Sequence, residues 1–246
     1  MDGAAAYWME ADILRQGTPE TYFAALLENG HVISLVGGGG KSSLQAYLAR
    51  CYAKRGMKTV ATTTTEIRRS DRFCRTIGEC RERWAAGEYA VCGVPYGENK
   101  LSAPDDATLA ALLDEADAVV VEADGAHGLP CKAPAAHEPV ILPQSDAVIA
   151  VLGLDALGQP VETVCHRPQQ VCALLSCDMQ HRLTCEDAAK ILLSDQGARR
   201  DVGDRAFYVV LNKCDDAQRF AQGMEILRIL RAQGHTQAAL TAGMHL

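Results

Sequence analysis

The chain has 246 residues, 48% of them hydrophobic and 22% charged, which suits one large α/β domain or two small ones around a packed core. Twenty-four Lys and Arg against 31 Asp and Glu leave a formal charge of −7, and aromatics make up only 5%. This balance argues against a general nucleic-acid binder, which needs a basic surface or base-stacking rings.

Other classes are excluded by pattern. No run approaches the roughly 20 apolar residues of a membrane span. The acids in MDGAAAYWMEADILRQG stand where a secretory leader needs basic residues and then an apolar run. Ten cysteines are scattered without a CxxC pair, so they read as reduced thiols of a cytoplasmic protein.

In chain order, Thr18 and Pro19 open a helix as N-cap and first-turn proline, and Gly30 closes it. Residues 31–36 (HVISLV) are a buried strand ending in four glycines. Residues 41–55 form a helix with Leu44, Tyr47 and Leu48 on one face and Gly56 as its stop. Strands follow at 57–61, running into four threonines, and near 89–94, with an Arg-rich stretch between. A helix at 104–116 feeds the strand 118–121, and 147–152 is another strand. Residues 155–200 are mostly helical, with Thr184 and Asp187 spaced as a capping box. Strand 207–211 precedes a helix whose Phe220, Met224, Leu227 and Leu230 share a face. The alternation predicts a P-loop NTPase-like α/β fold: a mainly parallel sheet in a three-layer α/β/α sandwich, with 155–200 as a helical elaboration. One domain over 1–246 is expected.

The sharpest motif is LVGGGGKSS at 35–43, between a strand and a helix. Glycines let backbone N–H groups curl around an anion, and the helix start adds unpaired N–H groups and a positive dipole end. Gly37, Gly38, Gly39, Gly40, Lys41, Ser42 and Ser43 are therefore the expected phosphate cradle. Lys41 would neutralise the β- and γ-phosphates, and the Ser42 hydroxyl would ligate Mg²⁺. The spacing is GxxGK[ST] rather than GxxxxGK[ST], a shorter loop that resembles the one in Mur-type ligases.

Strand 118–121 runs into Glu122, Ala123, Asp124 and Gly125. Period-two alternation puts Glu122 and Asp124 on one side at the carboxyl end of a parallel strand, where open α/β sheets bind ligands. Either acid is a candidate Mg²⁺ ligand. Downstream, Asn212, Lys213, Cys214 and Asp215 follow a strand as NKxD, which resembles the guanine-specificity motif of GTPases. A carboxylate accepts hydrogen bonds from guanine N1–H and its exocyclic amine, a donor pair that adenine lacks. Asp215 is the expected base reader, with Asn212 ordering the loop and the Lys213 stem along the base, and GTP ranks ahead of ATP.

The segments VGGGGKSS, ATTTTE, VEADGAHGLPCKAPAAHEPVI, VLGLDALGQP, HRP and LNKCD together resemble the YqeC family, named as selenium-dependent molybdenum hydroxylase accessory proteins. The resemblance implies a role in maturing a selenium-containing molybdenum cofactor. It implies a molybdenum hydroxylase client or a selenium or molybdopterin cargo as partner.

The loop over 121–141 adds Lys132, His137 and Glu138. Lys132 is a candidate anion contact, and His127 or His137 a candidate proton-transfer group. With Lys41 and Asp124, Lys132 and His137 complete the expected catalytic set. Thr62 to Thr65, with Glu66 beside them, offer hydroxyls that would reach a metal-bound water, or simply reflect β-propensity. Arg68, Arg69, Arg72, Arg75, Arg81 and Arg83 would dock an anionic cofactor or form a solvated helix face. Cys177, His181 and Cys185 would align as soft ligands only within one helix, which the Thr184 N-cap opposes. The leading expectation is a Mg²⁺-dependent nucleotide-binding protein, a GTPase by preference. The rivals are an ATP-dependent small-molecule kinase or ligase and a non-catalytic, nucleotide-switched cofactor carrier.

Overall fold

Ten strand segments line up in one sheet in the computed structural model, which describes residues 3–28 and 31–244. In chain order they are β1 (Ala5–Glu10), β2 (Ile13–Gly17), β3 (Val32–Gly37), β4 (Thr59–Thr63), β5 (Phe73–Cys74), β6 (Ala90–Cys92), β7 (Ala118–Glu122), β8 (Ala147–Gly153), β9 (Ala206–Asn212) and β10 (Ala238–Ala242). Their spatial order is β2-β1-β10-β9-β8-β3-β7-β4-β6-β5. All neighbours from β10 to β5 pair in parallel, while β1 runs antiparallel to β2 and β10. β7 and β8 are buried along their whole length, which is why they read as continuous apolar runs rather than alternations.

Side chains alternate between two faces. Ile33 and Leu35 of β3 and Ile149 of β8 pack with Leu44, Leu48 and Tyr52 of α1 (Lys41–Lys54). On the other face, Val36 of β3 and Val148, Ala150 and Leu152 of β8 pack against a second layer. That layer includes α5 (Cys185–Leu193) and α6 (Ala217–Ala232), with Met224, Leu227 and Leu230 buried as predicted and Phe220 at the margin. Toward the β5 edge, Cys80 of α2 (Ile77–Ala85) and Leu112 of α3 (Asp106–Glu115) cover Val119 and Val121. The result is the expected three-layer α/β/α sandwich. Between β8 and β9 lie two short helical turns at Leu154–Ala156 and Val161–Val164, then α4 (Pro168–Leu175) and α5, matching the predicted elaboration. Thr184 and Asp187 form the capping box that starts α5.

Several boundaries differ from expectation. Thr18 caps only the four-residue turn Pro19–Tyr22, a second turn covers Ala24–Glu28, and the predicted stop at Gly30 lies outside the described residues. β4 starts two residues later than predicted and takes in Thr62 and Thr63, whose side chains are buried. β6 is shorter because the chain departs at Gly93 to form a three-stranded antiparallel sheet from Glu66–Arg68, Lys100–Ser102 and Val94–Tyr96. The β1–β2 hairpin turns at Ala11 and Asp12, both at positive φ, without the glycine or asparagine signal such turns usually carry. β10 is alanine-rich and so carries little β-propensity of its own.

Because β3 lies between β7 and β8 while the chain leaves it through α1 toward β4, the crevice at its carboxyl end is a topological switch point, where open α/β sheets bind ligands. Leu48 is fully buried between α1 and β3. Replacing it with alanine is expected to lower unfolding free energy by about 2–5 kcal/mol, measured by urea denaturation.

Candidate functional site

The glycine loop leaves β3 at this crevice. Gly37, Gly39 and Gly40 have φ of 92°, 83° and 132°, a region that L side chains rarely adopt. A Cβ on Gly37 would collide with the Val151 carbonyl, and one on Gly40 with the Asn212 amide. The first three N–H groups of the loop already have partners. Gly37 donates to Asp124 Oδ2 (2.9 Å), Gly38 to the Val151 carbonyl (2.8 Å) and Gly39 to the Leu129 carbonyl (3.0 Å). The expected cradle therefore narrows to Gly40 through Ser43, where α1 starts with Gly40 as N-cap and no side-chain cap.

Lys41 and Asp124 are both buried. Lys41 Nζ donates to the Gly37 carbonyl (2.6 Å) and pairs with Asp124 Oδ1 (3.1 Å). Glu122, also buried, is the last residue of β7, so Asp124 lies beyond the strand and the pleat does not set its side; both carboxylates nonetheless lie near Lys41. Burial pushes the Glu122 carboxyl above its usual range, while Lys41 and a hydrogen bond from Ser42 pull it back. Its Oε1 is buried with no protein partner. A hydroxyl and two carboxylates, one with an unpartnered oxygen, are the hard donors that suit Mg²⁺, which keeps several waters and takes few protein ligands. Among the described residues, no group of three or more His, Cys, Asp or Glu is placed to hold a metal ion.

Lys132 joins the site from the loop after β7. Its Nζ contacts Asp124 Oδ2 (3.2 Å), Glu138 Oε2 (2.8 Å) and the Gly125 carbonyl (2.7 Å). Arg167 then grips Glu138 through two bonds, Nε at 3.2 Å and Nη2 at 3.0 Å. Burial alone would raise the Glu138 carboxyl. Arg167 and Lys132 outweigh it and hold the group down to about 2. Lys132 and Glu138 are thus interior groups of a charge network, and a cavity of about 10 Å³ beside Gly37, Asp124 and Lys132 has room for about one water. His137 is exposed and takes no part in it.

The NKCD loop reaches the glycine loop through Asn212. Its Nδ2 donates to the Gly39 carbonyl (2.8 Å), and its Oδ1 accepts from Thr241 Oγ1 (3.0 Å). Lys213, at φ 62°, pairs with Asp155 Oδ2 at 2.6 Å, so its stem is tied to the turn after β8. Asp215 is exposed, with Oδ1 accepting from the Gly243 N–H (3.2 Å). Thr241 lies outside the predicted motifs and had no sequence signal, and Asp155 sat within the quoted VLGLDALGQP segment with nothing to point it to Lys213. Arg167 sat within the quoted HRP segment, but nothing in its spacing pointed to Glu138.

Other candidates fall away from the crevice. Thr62, Thr63 and Thr64 donate their hydroxyls to the carbonyls of Cys92, Glu122 and Val140, which directs them into backbone support rather than toward a metal-bound water. The arginine cluster is spread over a short strand (Arg68), the loops after it (Arg69, Arg72, Arg75) and α2 (Arg81, Arg83). Arg81 pairs with Glu115, and Arg72 and Arg83 share Glu88. α5 begins at Cys185, so Cys177, His181 and Cys185 do not share a helix face, and His181 pairs with Asp187. All ten cysteines are free thiols. No helix among the described residues is long and apolar enough to cross a membrane.

The Glu138 network has a testable pH signature. Its folded-state carboxyl is depressed from about 4.5 to about 2, so its contribution is complete above the unfolded value and fades as pH falls through the folded one. Wild type should exceed Glu138→Gln in denaturant midpoint at pH 7. The gap should narrow as pH falls from about 4.5 toward about 2.

Two comparisons with known proteins place the chain. A family model described as "YqeC protein" matches residues 33–169, which span the glycine loop, both acids, Lys132, Glu138 and Arg167. The curated Escherichia coli (strain K12) protein named "Uncharacterized protein YqeC" is 31% identical over 208 residues, covering 76% of this chain and 78% of that protein. By the extent of both matches, the chain belongs to the YqeC family.

Proposed function

We propose that the protein binds a nucleoside triphosphate with Mg²⁺, prefers GTP, and hydrolyses it while assisting maturation of a selenium-containing molybdenum cofactor of hydroxylases. The observation that carries the nucleotide reading is Asn212. One side chain bonds the glycine loop through the Gly39 carbonyl and the β10 end through Thr241, tying the phosphate and base loops into one frame. The maturation role rests on the family resemblance.

In this reading the N–H groups of Gly40 to Ser43 meet the phosphates. Lys41 turns from the Gly37 carbonyl and Asp124 toward the negative charge, and Lys132 stays on Asp124 to keep that buried carboxylate paired. Ser42, Glu122 and Asp124 would hold Mg²⁺, which neutralises charge on the phosphate oxygens when bound. Asp215 exchanges the Gly243 N–H for the guanine N1–H and amine. The Lys213–Asp155 pair and the short glycine loop favour a second reading, an ATP-dependent small-molecule kinase or ligase.

Equilibrium titration of fluorescent GTP and ATP with Mg²⁺ separates the two. GTP should bind more tightly, and Lys41→Ala should weaken it about tenfold or more, the scale of one charge-assisted contact. Asp215→Asn should lose GTP and gain xanthosine triphosphate, whose C2 carbonyl accepts from the new amide. ATP binding untouched by Asp215→Asn would favour the second reading. Binding of neither nucleotide would end both.

A further inference from the structure

Two segments beside the phosphate loop hold strained backbone. His127 (φ 50°) and Arg167 (φ 59°) are left-handed without being glycine. Arg167 also precedes Pro168, whose ring pushes the preceding residue toward extended backbone. Such conformations are costly and gather at ligand clamps.

The two strained residues meet through His166. The His127 and His166 rings stack with centroids 4.5 Å apart and planes 16° apart. His166 is the chain neighbour of Arg167 and the register partner of Lys132 in the parallel ribbon formed by Cys131–Lys132 and Cys165–His166. That ribbon continues from Leu129 and Pro130, whose carbonyls accept from Gly39 and Gly153, so it lies against the glycine loop. His166 Nε2 is buried with no partner, an atom that normally finds one. Arg167 commits Nε and one Nη2 hydrogen to Glu138, leaving three of its five N–H donors, and its side chain is 28% exposed. Lys132 is held by Asp124 as well as Glu138, so the two cations here meet two carboxylates, and it is Arg167 that keeps donors uncommitted.

We propose that His127, His166 and Arg167 form a second oxyanion site, taking the phosphate or carboxylate of a small molecule beside the glycine loop. The guanidinium supplies the charge and a planar fork of donors. The stacked imidazoles supply one wall and a further polar contact. The site stands whether or not a nucleotide occupies the glycine loop.

The test is a titration of the full chain with inorganic phosphate, and in parallel with acetate, following the imidazole proton resonances of His127 and His166. pH and ionic strength are held constant with chloride. Saturable shifts of both rings are expected, with the phosphate and acetate arms showing which oxyanion is preferred. Arg167→Met should weaken the response at least tenfold. His127→Ala, which leaves the Arg167–Glu138 pair intact, should weaken the His166 response several-fold and guards against a folding failure of the first variant. Lys41→Ala should leave the shifts in place. Absence of saturable shifts, a response unchanged in both Arg167→Met and His127→Ala, or its loss in Lys41→Ala would overturn the proposal.

Discussion

Asp124 sits where the sheet, the glycine loop and the long loop after β7 converge, and its buried carboxylate constrains all three. One oxygen accepts the Gly37 N–H and meets Lys132, and the other meets Lys41. An unpaired carboxylate at this depth would cost several kcal/mol, so the surrounding cations are a condition of the fold as much as of any chemistry. Lys132 in turn needs Glu138, and Glu138 needs Arg167, which extends the chain of pairing into the helical elaboration before α4. The glycine loop is therefore held by a charge network that reaches across the crevice.

A second frame meets it from β9 and β10. Asn212 fixes the Gly39 carbonyl from the side opposite Asp124 and takes its own orientation from Thr241. Gly37 lies against the Val151 carbonyl of β8 and Gly40 against the Asn212 amide, and neither has space for a Cβ. The loop conformation thus follows from packing on both flanks, with the glycines permitting what the neighbours impose. The N–H groups left for a ligand are at the start of α1, next to Ser42 and the unpartnered oxygen of Glu122.

Much of this was legible in the chain. The apolar runs of β3, β7, β8 and β9 stand out because strands buried on both faces need no polar alternation, and GGGGKSS and NKCD fall at strand ends where backbone demands are local. Long-range pairing was less legible. Lys132 and Glu138 look like solvated loop charges until Asp124 and Arg167 are brought to them, and no periodicity encodes that meeting. The β1–β2 hairpin lacked turn residues of the usual kind, and β10 is held by its neighbours rather than by its alanines. The threonines at the end of β4 mark where the strand stops, but the hydroxyls of Thr62, Thr63 and Thr64 serve backbone carbonyls.

The central claim is that the start of α1, the acids after β7 and the NKCD loop compose one nucleotide site. A crystal structure with Mg²⁺ and a non-hydrolysable GTP analogue tests it most directly. The account predicts phosphates on the N–H groups of Gly40 to Ser43, Lys41 turned away from Asp124, the metal near Ser42 and Glu122, and the base edge on Asp215. An analogue seated elsewhere, with Lys41 still on Asp124 and the Gly37 carbonyl, would contradict it.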